Sequence, residues 1–250
     1  MEAEASSSPE PKDPLDRVAR QTSIEITVAV GIVIAMQLIL AWLSISNGWT
    51  LFHVRGWIWW IPILPEFILA AVVVRERSKL IGDGGDDAEA RRQDVSRRNE
   101  VMALLGLIAF WNGMTVILLI LELFTGEVRT GGELMMEATV ILFTLVLNFG
   151  LIYWELDGGG PRRRAKHPAG YRDFLFSQMT DDGKPLVRER DRPWHPGLID
   201  YAYLAFVTAL AWSAADALPV SRRAKLLMAL ETAVAALTIL LVAARAISLF

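Results

Sequence analysis

The sequence predicts an all-α fold, a polytopic bundle of five or six membrane-spanning helices, and three observations predict it. First, 53% of the 250 residues are hydrophobic, whereas soluble domains reach about 45–50% on a count that also includes Gly. Second, the apolar residues lie in runs long enough to cross a bilayer as helices, which takes about 20 residues. Third, Lys and Arg are concentrated in alternate loops, as expected when positive loops stay in the cytoplasm.

Five apolar segments have the length of a span, and they follow a polar tail. Residues 1–22 are rich in Ser, Pro and Glu and are expected to be disordered. Residues 23–156 are expected to form a four-helix transmembrane region. The second span opens with three Trp, as expected where aromatic rings lie at headgroup level. The predicted spans are Ser23–Ser46, Trp57–Val74, Val101–Phe124, Glu133–Tyr153 and Ala224–Phe250.

The loops predict an orientation. The loop after the second span and residues 157–197 are rich in Lys and Arg, whereas the basic residues of the other two loops are His53, Arg55 and Arg129. This pattern puts the N-terminus and both basic loops in the cytoplasm. We therefore expect a multi-pass protein of the plasma membrane, the bacterial inner membrane, with the lipid bilayer as its first partner.

Residues 157–197 form a polar loop with two motifs. The stretch "WELDGGGPRRR" ends a predicted helix and continues through three glycines into a basic run, and it is equally compatible with a flexible connector and with a structured turn. The stretch "YRDFLFSQM" carries Phe174, Leu175 and Phe176 in a polar setting. Three adjacent large apolar side chains are seldom left in water, so we expect them to dock against the bundle or the membrane interface.

Composition disfavours several classes of function. The net charge of −3 gives no reason to expect a nucleic-acid partner, and the absence of Cys excludes disulfides, thiolate catalysis and Cys-ligated metals. The three His lack the spacing of a metal site, and neither a GxSxG elbow nor a phosphate-binding loop occurs. We expect no enzyme, no catalytic residue, no cofactor and no metal.

Polar residues inside the predicted spans are candidates for function, because an ionisable group in hydrocarbon is costly. Glu66 follows Pro62 and Pro65, which are expected to kink the second span. For Glu66 and Glu231, a structural hydrogen bond and a role in an ion or proton path both stay open. Asn112 and Asn148 are expected to bond across helices, at about 0.6 kcal/mol each.

The C-terminal part resembles a known family. The letters "FVTALAWSAAD" and "ALPVSRRAKLLMALE" (206–216 and 217–231) are similar to the pore helix, filter and inner-helix start of two-span bacterial potassium channels, "FxFVTLTTVGYGD" followed by "AR…LE". The resemblance implies a channel-like unit over residues 198–250, with Thr208 at the end of a pore helix. "YWELD-GGP" and "DFLF-Q" are similar to motifs of a group of bacterial integral-membrane proteins, which implies no activity.

The departure from the channel pattern lies in the filter. The resemblance places the pore and filter at Thr208, Ala211, Trp212, Ser213, Ala214, Ala215 and Asp216. The family's filter glycines accept backbone angles that a residue with a Cβ adopts at a cost of roughly 1–2 kcal/mol. A stack of carbonyl rings around K⁺ is therefore not expected in its usual form. A wider mouth with Ser213 hydroxyls and an Asp216 ring would prefer monovalent cations weakly.

Three arrangements of residues 198–220 remain open. Six full spans put both termini in the cytoplasm and three cations, Arg222, Arg223 and Lys225, outside. A re-entrant helix entered from the cytoplasm satisfies the charge rule in every loop and puts the C-terminus outside. The orientation of the resembled channels has the loop entering from outside and breaks the charge rule in two loops. Charge favours a cytoplasmic entry, and the resemblance favours the re-entrant local shape.

The expectation for function is an oligomeric, ion channel-like pore with an altered selectivity filter. One pore helix per chain closes a pore only by rotational symmetry, so the expected assembly is a homo-oligomer, a tetramer if the channel resemblance holds. The alternative is a monomeric or dimeric membrane transporter or scaffold in which residues 198–220 form a plain span. The sequence leaves the permeant species and the gating signal open.

Overall fold

The structure, a computed structural model, describes most of the chain. The described residues are 14–48, 50–51, 54–55, 63–65, 67–68, 71, 87–125, 131–166, 170–179, 184–186, 188–189, 192–213 and 216–248. Glu66, Ala214, Ala215 and most of the predicted second span lie outside these residues.

The elements of the described chain are six α-helices, six short strands and one 3-10 turn, Asp157–Gly159. The helices are α1 (Pro14–Asn47), α2 (Asp87–Thr125), α3 (Gly131–Leu156), α4 (Pro161–Lys166), α5 (Leu198–Ala211) and α6 (Arg222–Ser248). The strands are β1 (Thr50–Leu51), β2 (Val54–Arg55), β3 (Phe174–Phe176), β4 (Arg188–Glu189), β5 (Arg192–Pro193) and β6 (Ala217–Pro219). The strands pair antiparallel as β1 with β2, β3 with β6 and β4 with β5.

Four of these helices contain stretches long and apolar enough to cross a membrane, which confirms the prediction of a helical membrane protein. The stretches are Val28–Asn47, Arg98–Leu118, Met135–Gly159 and Arg222–Leu241. Helix α1 begins at Pro14, so the end of the predicted tail, up to residue 22, is helical. Helix α5 has 14 residues, about 21 Å at 1.5 Å per residue, which is shorter than the roughly 30 Å hydrocarbon core.

Helix α3 packs against α1, α2, α5 and α6, and α2 and α6 run antiparallel to it. Asn148 Nδ2 of α3 donates to the Leu105 carbonyl of α2 at 3.1 Å. The Tyr153 hydroxyl of α3 donates to Glu231 of α6. Farther from the end of α3, Ile141 clusters with Val116 of α2 and with Leu241 of α6. Along these contacts the residue numbers of α3 decrease while those of α2 and α6 increase. Helices α2 and α6 are therefore antiparallel to α3.

Helices α1, α2 and α6 all begin near the C-terminal end of α3, which we call the Asp157 end. Arg223 in the first turn of α6 bonds Asp173, whose backbone N–H donates to Asp157. Helix α1 packs against α4, which follows Asp157 closely, while its later residue Leu40 clusters with Ile141. Because α1 and α2 both begin at the Asp157 end, the chain between Asn47 and Asp87 connects opposite ends of the bundle.

Helices α3 and α5 approach most closely at a glycine. A Cβ on Gly150 would lie 2.9 Å from the Ala202 Cα and 3.2 Å from its N. These are backbone atoms of another helix, so they cannot move to another rotamer as side-chain atoms can. The absence of a side chain at position 150 therefore sets the distance between α3 and α5.

Gly150→Ala is expected to destabilise the bundle. The added methyl group forces α3 and α5 apart, and overpacking of this kind costs roughly 1–3 kcal/mol. The measurement is denaturant unfolding in detergent, compared with Gly106→Ala in α2, where a Cβ meets nothing within 4 Å. That control is expected to be stabilising by about 0.5–1 kcal/mol, because Ala restricts the unfolded chain. Equal stability of the two variants would contradict the close approach of α3 and α5.

Candidate functional site

A fully buried carboxylate, Asp157, organises the end of α3. Its Oδ1 accepts hydrogen bonds from the backbone N–H groups of Asp173 at 2.6 Å and Phe174 at 3.1 Å. Its Oδ2 accepts the Tyr201 hydroxyl at 2.6 Å and lies 3.8 Å from Arg172 Nη1. One side chain therefore joins α3, the start of β3 and α5.

Three glycines allow the chain to turn directly after this carboxylate. Gly158, Gly159 and Gly160 have φ of 59°, 88° and 98°, values that residues with a Cβ rarely adopt. The turn brings α4 back over the end of α3, where Arg164 is buried. Arg164 Nη1 donates to the carbonyls of Trp154 and Asp157 at 2.6 and 2.7 Å, at a helix end where carbonyl groups lack partners within the helix; the Asp157 carbonyl also accepts the Gly160 N–H at 3.0 Å. The triple-glycine segment is thus a structured turn, which resolves the alternative that the sequence left open.

A second buried acid, Asp173, holds the start of α6. Arg223 Nε donates to Asp173 Oδ1 at 2.9 Å and Arg223 Nη2 to Oδ2 at 3.4 Å. The Gly158 N–H also donates to Asp173 Oδ2, at 3.3 Å, and the Val220 N–H to the Asp173 carbonyl, at 2.9 Å. We call the group Asp157, Arg164, Asp173, Tyr201 and Arg223 the polar lock.

The apolar residues of the 157–197 loop lie beneath the polar lock. Phe174 and Phe176 are buried in the main core, so of the two placements predicted for this stretch, the bundle or the membrane interface, these two rings take the first. The Phe174 ring packs on Tyr153, with centroids 5.0 Å apart, and the Phe176 ring meets Tyr201 edge-on at 5.1 Å. Strand β3, which carries both rings, pairs with β6 in the register Phe174↔Pro219.

Acidic and basic side chains are both buried in this region. For Arg172, the loss of hydration affects the pKa more than the attraction of the nearby carboxylate does. Loss of hydration lowers the pKa of Arg172 from its ordinary value, although the Asp157 carboxylate opposes the shift. Burial of a cation is tolerated only beside a partner that compensates for lost water. Asp157 therefore holds together cationic and neutral donors that would otherwise be costly to bury.

The polar lock has a topological consequence for α5 and α6. Tyr201, one turn into α5, reaches Asp157, and Arg223, in the first turn of α6, reaches Asp173 beside Asp157. Both helices therefore begin at the Asp157 end. Side chains of a helix lean toward its N-terminus, and Tyr201 leans toward the C-terminal end of α3 while its neighbour Ala202 lies beside Gly150. Helix α5 thus runs antiparallel to α3, and the chain after it returns to the Asp157 end.

The described filter residues expected from the sequence, which do not include Ala214 and Ala215, lie at the end of α5 and on this return. Thr208 is buried, and its hydroxyl has no hydrogen-bond partner among the described residues. Ala211 ends α5, and Trp212 follows in the left-handed conformation with φ 53°. Ser213 is exposed. The Asp216 carboxylate accepts the Ser177 hydroxyl at 2.9 Å, and the Asp216 carbonyl accepts the Ser177 N–H at 3.1 Å.

The intramembrane polar residues lie in different places. Asn148 bonds the Leu105 carbonyl across helices. Asn112 is buried and lines a small cavity with Gln37 of α1 and with Thr115 and Thr144. Glu231 is fully buried, and its Oε2 accepts the Tyr153 hydroxyl at 2.5 Å.

Sequence reasoning gave no functional role to any member of the polar lock, although Asp157 and Asp173 lie in the motifs "YWELD-GGP" and "DFLF-Q". The sequence did contain a signal. Asp157 in "ELDGGG" precedes three glycines and Asp173 in "YRDF" precedes apolar residues, at positions where a membrane loop would usually expose an acid to water. Only the fold shows that these acids face inward.

In comparisons with protein families, curated proteins and solved structures, no match to this chain is found.

Tyr201→Phe is expected to destabilise the protein by roughly 1–3 kcal/mol. The change leaves Asp157 Oδ2 buried without its closest donor, and an unsatisfied buried polar group carries this order of penalty. The matched control is Tyr203→Phe, two residues along the same helix, because Tyr203 is half exposed. Chemical unfolding in detergent measures both variants. Equal losses of stability would show that Asp157 does not depend on the Tyr201 hydroxyl.

Proposed function

We propose that the protein is an ion channel-like membrane protein whose C-terminal unit has two parts: α5 and the return, which enter and leave the bilayer on one side, and α6, which crosses it. The observation that carries this proposal is the common starting end of α5 and α6. A helix that crossed the whole membrane before α6 would leave α6 to begin at the opposite end. The return through Trp212–Val220 instead brings the chain back to the end from which α5 departed.

The shape of this unit supports the channel resemblance. A short helix, a return to the same end of the bundle and a long following helix are the three parts of a pore loop and inner helix, in the same order. Trp212 occupies a left-handed conformation at the point where α5 gives way to the return. Such a residue is strained unless its surroundings hold it, and β6, paired with β3, anchors the far end of the return.

Charge supports a cytoplasmic position for the Asp157 end. Arg163 near the end of α3 and Arg222, Arg223 and Lys225 at the start of α6 all lie there, in addition to the basic first part of α2. Cytoplasmic loops carry the excess of Lys and Arg. With the N-terminus at this end, four described spans and a crossing between α1 and α2 give five spans. The C-terminus then lies outside.

A pore built from this unit would differ from a potassium filter. The described part of the return exposes the Trp212 and Ser213 side chains and holds a half-buried Asp216, with no glycine in the sequence 211–216. Rings of carboxylates are a common source of cation preference. We propose a homo-oligomer, with Asp216 of each copy near the mouth and monovalent cations as the permeant species.

Cysteine labelling in the full chain tests the topology, because the native sequence has no Cys. Val220→Cys is expected to react with a membrane-impermeant maleimide from the cytoplasmic side, since Val220 is exposed at the Asp157 end. A Cys added after Phe250 is expected to react from the outside. Six full spans predict the reverse at both positions, and that result would refute the re-entrant proposal.

Mass and flux measurements test the pore. The detergent-solubilised protein is expected to be an oligomer, and a stable monomer would exclude a pore formed between copies and favour the transporter or scaffold alternative. In proteoliposomes, Asp216→Ala is expected to lower monovalent cation flux about fivefold. The reason is that a carboxylate attracts a cation 4 Å away in water by about 1 kcal/mol, which is about a factor of five at equilibrium. Ser177→Ala is the control, because it removes the hydroxyl bonded to Asp216 and keeps the charge. Equal flux in wild type and Asp216→Ala would remove Asp216 from the pore.

A further inference from the structure

We propose that Glu231 is an intramembrane proton-binding site that joins α3 to α6. The proposal does not depend on the pore, because the contact joins α3 to α6 and involves neither α5 nor the return. Glu231 lies within the apolar stretch Arg222–Leu241 and is fully buried. The Tyr153 hydroxyl donates to its Oε2, and its Oε1 has no hydrogen-bond partner among the described residues.

The surroundings of Glu231 contain no compensating cation among the described residues. The cations of α6 nearest in sequence are Lys225, Arg223 and Arg222, at its start, and Arg223 is engaged with Asp173. Glu231 lies eight residues beyond Arg223, about 12 Å along the helix at 1.5 Å per residue. An ionised carboxylate in a low-dielectric interior is far more costly than a neutral acid with one unpaired oxygen.

The other elements packed against α6 also lack an ion-pair partner for Glu231 in their described parts. Helix α3 contributes Tyr153 as the titratable contact, while Asp157 lies one turn beyond it in the polar lock. The titratable side chains of α5 are Asp200, which caps its own helix, Tyr201, bonded to Asp157, and the half-exposed Tyr203. The stretch Val101–Leu118 of α2 and strand β6 have no titratable residue.

The geometry selects a proton over a metal cation. A bound metal ion needs several oxygen ligands and space around them, and within the described residues no cluster of three metal-ligating side chains occurs. A proton needs neither. We place it on Oε1, since Oε2 accepts the Tyr153 hydroxyl. Loss of this proton would leave a buried charge between α3 and α6, so raised pH acts on the helix that follows the re-entrant segment.

Infrared spectroscopy of the full-length protein in lipid nanodiscs tests for the bound proton. At pH 6 the wild type is expected to show the carbonyl band of a buried carboxylic acid, and Glu231→Gln is expected to lack it. Tyr153→Phe is expected to retain the band at a shifted frequency, because the hydrogen bond to Oε2 is lost. A spectrum of Glu231→Gln that matches the wild type in this region overturns the proposal.

The pH dependence of stability gives a second measurement. A native state that holds a proton which the unfolded chain releases loses stability as pH rises. The wild type is therefore expected to fall in apparent Tm between pH 5 and pH 8 relative to Glu231→Gln, by roughly 3 °C or more. Thr238→Val on the same helix is the control, because Thr238 bonds its own Val234 carbonyl and is expected to keep the wild-type slope. Parallel profiles of wild type and Glu231→Gln overturn the proposal.

Discussion

The carboxylate of Asp157 is the constraint on which the C-terminal half of the structure depends. It accepts two backbone N–H groups at the start of β3 and the hydroxyl of Tyr201 from α5. Through Asp173 it also sets where α6 begins. A buried carboxylate that lost these donors would have to find others or be exposed to water. The positions of α5 and α6 therefore follow from the way in which one acid is satisfied.

The polar lock fixes where α5 and α6 begin, which the hydropathy of the chain does not report. Helix α5 is apolar along its length, so its composition alone predicts part of a membrane-spanning helix. Its 14 residues are too few to cross, and its first turn is tied to the same end of the bundle as the first turn of α6. The pairing of β3 with β6 also holds the chain before α6 at that end.

The buried polar residues of the spans divide according to their partners. Asn148 has a partner across the helix interface and so packs as expected for an amide in a membrane bundle. Asn112 faces a small cavity that it shares with hydroxyl and amide groups. Glu231 has Tyr153 as its one hydrogen-bond partner among the described residues and no cation there. Buried polar side chains in the same hydrocarbon setting thus differ in chemistry according to the groups that face them.

The sequence by itself determined the membrane class, four of the spans and the basic character of the Asp157 end. These depend on composition and on the length of apolar runs, which are local properties of the chain. Only the tertiary structure decided that Asp157 and Asp173 are buried, that Gly158–Gly160 form an ordered turn, and that α5 and α6 start together. Each of these depends on residues between 15 and 50 positions apart that meet in the fold, as Asp157 meets Tyr201 and Asp173 meets Arg223. Hydropathy and charge counts are computed from residues that are close together in the sequence. They therefore cannot predict contacts between residues that are far apart in the sequence.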